Sequence, residues 1–176
     1  MNILIDELEE RVKSGIGVSE KGAPRVMLNV GHTSDPRVTH LLEDVGLAVP
    51  LTKILSWVGG PPTQAKGTYA TPGEMIANYE MAVGYFHSTD GQTHQYERAA
   101  EVMKLDGYVI NYLYNCRPAA TLSQIGKKYL EDKLGLPVLS LEEDVFDSRT
   151  YSAASLRTKV ETFAYMLKEK KKLAKA

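Results

Sequence analysis

The 176-residue sequence contains one cysteine, Cys116. A single thiol excludes an internal disulfide and fits a reducing compartment. It also excludes a zinc site built on paired cysteines, and no His-Glu-x-x-His pattern stands in for one. No Gly-x-x-x-x-Gly-Lys-Ser/Thr run is present, so no phosphate-binding P-loop is read. Long hydrophobic runs are missing, and no stretch approaches the length that spans a bilayer. The opening residues, Met1 to Glu7, lack the basic segment and apolar length of a secretion signal. An excess of one charge is missing too. Lys and Arg number 21 against 22 Asp and Glu, so nothing draws the chain generally to nucleic acid. The one strong charge run, Lys168 to Lys175, reads as a frayed, solvated helix end. These absences lead to the expectation of a cytoplasmic protein without nucleic-acid or membrane partners. The hydrophobic content of 43% suffices for one α/β domain over residues 1–176.

What is present is a regular alternation of elements. Ile3, Leu4, Leu8 and Val12 form a helical stripe, ended by Gly15, Gly17 and Gly22. Arg25 to Val30 reads as a strand. Ser34 or Asp35 then caps a helix with Pro36 in its first turn and Gly46 just past its end. Leu47 to Leu51 is a second strand. Residues 52–73 are the least regular stretch, a long loop of the kind that is usually functional. Thr71, Pro72 and Glu74 form a capping-box pattern for a helix reaching about His87. Another helix covers about Gln92 to Lys104. Tyr108 to Leu113 is the central strand, followed by a helix from about Pro118 to Leu134, a strand from Leu136 to Leu141, and a last helix from about Ser152. Leu156, Val160, Phe163, Ala164 and Leu167 make that helix's apolar face. The order implies a three-layer α/β fold: a mostly parallel four-stranded sheet with helices on both faces, Rossmann-like or flavodoxin-like.

The reactive candidates all follow strands. His32, Thr33, Ser34 and Asp35 follow the first; Asn115, Cys116 and Arg117 follow the third; Glu142, Glu143, Asp144 and Asp147 follow the fourth. In a parallel sheet these groups converge on one edge, where open α/β sheets bind ligands. Cys116 is expected at a helix N-terminus beside Arg117, a setting that favours a thiolate. Against that stands the plain buried cysteine. Ser34 and Asp35 read as helix caps before reactive groups, His32 also as an exposed loop residue, and the acids as turn caps before metal ligands. The tyrosine-rich strand (Tyr108, Tyr112, Tyr114) reads as packing, not as a cofactor box.

Three segments carry a family resemblance: Asn115-Cys116-Arg117-Pro118-Ala119, Leu134-Gly135-Leu136-Pro137-Val138-Leu139-Ser140-Leu141-Glu142-Glu143-Asp144, and Leu156-Arg157-Thr158-Lys159-Val160-Glu161-Thr162-Phe163. Together they resemble the 2-hydroxyacyl-CoA dehydratase family, which includes the D component of 2-hydroxyglutaryl-CoA dehydratase and benzoyl-CoA reductase subunits. The matching pattern is a cysteine opening a helix, a Gly-Ile-Pro-x-Leu-x-Leu-Glu-x-Asp strand and a Leu-x-Thr-Arg-x-Glu-x-Phe final helix. The stretch from Leu8 to Val26 also looks like the lead-in to that family's last domain. The resemblance implies a larger subunit in which three cysteines, spread over its domains, hold a four-iron four-sulfur cluster. It further implies an ATP-dependent activator and radical dehydration, or ring reduction, of an acyl-CoA thioester, a chemistry of anaerobic metabolism. Cys116 matches the cysteine of the last domain; the other two have no counterpart here.

The leading expectation is therefore the last domain of a dehydratase-type subunit. Cys116 is the metal ligand, Asn115 and Arg117 lie beside the cofactor, and His32 and Ser34 line the substrate cavity. Its partners are the missing cysteine-bearing domains or a homologous subunit, the activator and the acyl-CoA. The isolated chain is expected to be inactive and without cofactor. The alternatives are a non-enzymatic binding or assembly module derived from the family, and a thiol hydrolase using Cys116 with His32.

Overall fold

The computed structural model describes residues 2–30, 36–53, 69–82, 89–144, 147, 149 and 152–174. Among these residues ten elements follow in order: α1 (Asn2–Lys13), β1 (Arg25–Val30), α2 (Pro36–Asp44), β2 (Ala48–Lys53), α3 (Pro72–Ala82), α4 (Thr89–Met103), β3 (Gly107–Leu113), α5 (Arg117–Leu134), β4 (Val138–Glu143) and α6 (Ala153–Leu173). The four strands form one all-parallel sheet in the order β2-β1-β3-β4. The expected three-layer α/β architecture is the one observed.

Alternation along each strand builds two apolar layers. Val26, Leu28, Val109 and Leu141 pack with Val38 and Leu42 of α2 and with Val160, Phe163 and Leu167 of α6. Met27, Tyr108, Ile110 and Val138 pack on the other face with Tyr96 and Ala99 of α4 and Leu130 of α5. Full burial of each such aliphatic side chain stabilises by roughly 1.5–3 kcal/mol. The second layer is close enough that a Cβ on Gly126 of α5 would come within 2.9 Å of the Tyr96 ring.

Helix ends follow the local chemistry. At α3 the Glu74 backbone N–H donates to Thr71 Oγ1 at 3.1 Å, and the Glu74 carboxylate accepts from Ala70 N–H at 2.8 Å, one residue earlier than a regular capping box. The α2–β2 turn closes with Gly46 at φ +79° and hydrogen bonds Gly46 N–H to Glu43 O and Leu47 N–H to Leu42 O, the Schellman pattern. The α4–β3 turn repeats it, Lys104 N–H to Glu101 O and Leu105 N–H to Ala100 O, with Lys104 at φ +50° where glycine is favoured.

Two expectations are corrected. Strand β4 begins at Val138 and runs on to Glu143, because parallel pairing with β3 continues through Tyr112↔Glu142 and Leu113↔Glu143; Glu142 and Glu143 thus belong to the strand, not to the loop after it. The lysine-rich tail is not a frayed end. Helix α6 continues to Leu173, and three lysines tie it to the amino-terminal pole of the sheet. Lys168 Nζ donates to Val45 O at 2.7 Å, Lys170 Nζ to Gly135 O at 2.5 Å, and Lys171 Nζ to Asp106 Oδ2 at 2.7 Å. Asp106 also accepts the Arg25 backbone N–H at 2.8 Å, and Arg25 Nε donates to Met103 O at 2.7 Å. One half-buried carboxylate thus joins the starts of β1 and β3 to the end of α6.

Asp106→Asn keeps an acceptor but removes the charge facing Lys171. It is expected to lower stability by about 1.5–3 kcal/mol, as for hydrogen bonds to charged groups. In urea unfolding, Lys171→Met should add little to it, since the two changes break one interaction; full additivity would show that they act separately. Lys104→Gly is expected to raise stability by about 1 kcal/mol, through relief of the left-handed conformation; an unchanged urea midpoint would show no strain there.

Candidate functional site at the carboxyl edge

The strand order reverses between β1 and β3. From β1 the chain steps outward to β2, then returns to the other side of β1 to form β3 and β4. The carboxyl ends of these two central strands, paired at Val30↔Asn111, mark the crevice where open α/β sheets take ligands.

Cys116 stands at this crevice. After β3, Leu113 to Cys116 form a turn closed by Cys116 N–H to Leu113 O at 3.2 Å. Cys116 is then the N-cap of α5, with φ −90° and ψ 89°, and its carbonyl accepts from Ala120 N–H at 2.9 Å. Pro118 in the first turn removes a donor that would otherwise lack a partner. The thiol makes no capping hydrogen bond and is half-buried; as the N-cap it stands at the positive end of the helix dipole. No acidic residue lies in the first turn of α5. Asn115 and Arg117 flank it and are exposed.

The interior behind this edge is polar. Among the described residues the buried polar side chains are Thr93, Gln95, Asn111 and Ser123, at the start of α4, the end of β3 and the second turn of α5. All four lie in the carboxyl half of the molecule. Asn29, paired with Ile110, donates from Nδ2 to the Tyr96 hydroxyl at 3.0 Å. The Tyr108 hydroxyl donates to the Tyr96 carbonyl, and the two rings meet edge to face with centroids 5.7 Å apart. Burial pushes the Tyr96 hydroxyl up to about 12 and that of Tyr108 higher still, so both stay neutral and act only as hydrogen-bonding groups. Ser140 Oγ is buried one strand away, and among the described residues it has no hydrogen-bond partner. Sequence reasoning missed Asn29, Asn111 and Ser140. The available signal was a polar residue inside each apolar run: Leu28-Asn29-Val30, Ile110-Asn111-Tyr112 and Leu139-Ser140-Leu141.

The other sequence candidates divide. His32, Thr33, Ser34, Asp35 and His87 lie outside the described residues. Asp147 is held by Arg149, whose Nη2 donates at 2.6 Å and whose backbone N–H donates at 3.0 Å. The Arg149 side chain, then its backbone, keep the Asp147 carboxyl below its ordinary range, the turn-capping role and not a ligand's. His94, on the exposed face of α4, pairs with Glu97 at 3.0 Å. Among the described residues no group of three or more His, Cys, Asp and Glu converges as a metal site. Two cavities lined wholly by described residues lie away from Cys116. One of about 530 Å³ is at the amino-terminal pole, and one of about 520 Å³ is between β4 and α6.

The fold and this edge define a doubly wound α/β protein with a single thiol at the helix N-terminus of its switch-point crevice. The chain matches the family described as 2-hydroxyglutaryl-CoA dehydratase, D-component, over residues 1–167, and it belongs to that family. No curated protein matches it. No helix among the described residues is long and apolar enough to cross a membrane. Four-iron four-sulfur clusters are held by several cysteine thiolates, and this chain has one. Alone, it does not fit a whole cluster; it offers a single ligand.

The site-side helices α4 and α5 are joined by a pH-sensitive contact between Tyr129 and Glu97. The Tyr129 hydroxyl, then His94, hold the Glu97 carboxyl below its ordinary 4.5. A lowered carboxyl contributes stability above its unfolded value and loses it as pH falls through the folded value. Tyr129→Phe should move the Glu97 carboxyl back towards 4.5 in a carbon-detected NMR titration and shrink the acid-side loss of stability. An unmoved titration would show that the tyrosine does not set it.

Proposed function

We propose that this chain serves as the last α/β domain of a 2-hydroxyacyl-CoA dehydratase-type subunit, with Cys116 as one thiolate ligand of a four-iron four-sulfur cluster. The observation that carries this is the uncommitted thiol at the N-cap of α5, beside the β1–β3 switch point, in a chain of this family. The remaining ligands come from cysteine-bearing domains or a partner subunit. Asn115 and Arg117 border the cofactor. His32 and Ser34, which follow β1 in the sequence, are assigned to the cavity for an acyl-CoA thioester. Reduction is supplied by an ATP-dependent activator. The cluster, when bound, supplies one-electron chemistry. This chain supplies a thiol held at a helix N-terminus and a neutral, hydrogen-bonded base to the crevice through Asn29, Tyr96 and Tyr108. The single cysteine also supports a second reading, in which the domain keeps the fold and binds or assembles without catalysis.

Native mass spectrometry and iron analysis on material purified without oxygen from its own source separate the two. The first reading expects a heavier complex that carries iron. In it, Cys116→Ser removes the iron while the partner mass stays. An iron-free chain, or a complex whose iron survives Cys116→Ser, overturns the ligand role.

A further inference from the structure

Helix α5, whose N-cap is Cys116, has a narrow seat. Its buried residues are Ser123, Gly126 and Leu130. Only Leu130 is large, and it lies in the half away from the thiol. Nearer Cys116 the seat is a hydroxymethyl group and a glycine. Gly126 is not among the glycines with positive φ, so backbone conformation does not demand it. Inside a helix it costs about 1 kcal/mol relative to alanine. What it provides is room. A Cβ there would stand 2.9 Å from Tyr96 Cε2, about half an ångström short of ordinary contact.

The Tyr96 ring is not free to give way. It is 3% exposed. Its hydroxyl accepts from Asn29 Nδ2 at 3.0 Å, near the carboxyl end of β1. Its backbone carbonyl accepts the hydroxyl of Tyr108 in β3, and the two rings meet edge to face. Both central strands therefore hold this one tyrosine. The thiol-bearing half of α5 rests against it.

We propose that Tyr96 is a positioning residue for Cys116: held by Asn29 and Tyr108, it sets through Gly126 the height of α5 above the sheet, and so the place of the thiol. Ten residues, about 15 Å of helix, separate Gly126 from Cys116. Residues 119–125 contain no proline or glycine to bend that length, so a shift at Gly126 is carried to the N-cap. The inference rests on the reading of Cys116 as the functional thiol, but not on what the thiol binds.

The test is the rate at which iodoacetamide alkylates Cys116 in the iron-free full chain at one pH, with circular dichroism to confirm folding. The chain has one cysteine, so the rate reports on that thiol alone. Gly126→Ala lifts α5 and should raise the rate about threefold or more, because access governs thiol reactivity. Tyr96→Leu removes the spacer, lets α5 settle and should lower the rate by a similar factor. The double variant should fall between the two. Val38→Ala, in the opposite apolar layer, gives the rise that lost stability alone produces. Destabilisation by itself exposes the thiol and cannot slow its alkylation. An unchanged or raised rate in Tyr96→Leu overturns the proposal, and so does a Gly126→Ala rate no higher than that of Val38→Ala. If Gly126→Ala does not fold, Tyr96→Leu decides alone. Failure of the iron-ligand role leaves these rates as they are, since no iron is present in the assay.

Discussion

Strand β3 is hydrogen-bonded in parallel on both edges, from Val26↔Gly107 to Val30↔Asn111 on one side and from Tyr108↔Val138 to Leu113↔Glu143 on the other. Parallel pairing forces every connection to cross back over a face of the sheet. It therefore covers the central strand twice, and Tyr108, Val109 and Ile110 are fully buried. It also sends all strand-to-helix turns to one pole and all helix-to-strand turns to the other. The place of Cys116, one turn beyond β3, follows from that pairing.

The two poles do different work. At the amino-terminal pole, left-handed turns, lysine-to-carbonyl bonds and the Asp106 carboxylate fix the layers to one another. At the carboxyl pole the interior turns polar, and the first turn of α5 leaves its thiol without a capping partner. Stability concentrated at one end allows the other to carry buried polar groups that cost stability unless they are hydrogen-bonded.

Much of this was legible in the amino-acid sequence. The boundaries of β1, the apolar face of α6 and the glycine closing α2 follow from period, branching and backbone chemistry, which act over a few residues. Membership of the dehydratase family was legible from the segments around Cys116, β4 and α6, and the match extends over residues 1–167. The lysine tail was misread, because solvation is the default for a charge run and only tertiary contact brings Lys171 to Asp106, 65 residues away. The end of β4 was misplaced by two residues because its partner strand, not its own composition, sets its length.

By itself, then, the sequence determined the element order, the parallel α/β class and the position of the thiol at a strand-to-helix junction. Each of these depends on local periodicity and turn chemistry. Only the tertiary structure decided the strand order β2-β1-β3-β4, the meeting of Asn29 with Tyr96 on one face of the sheet, and the exposure of the α1 stripe. Those are matters of which surfaces meet, and contacts between residues far apart in the chain leave no period along it to be read.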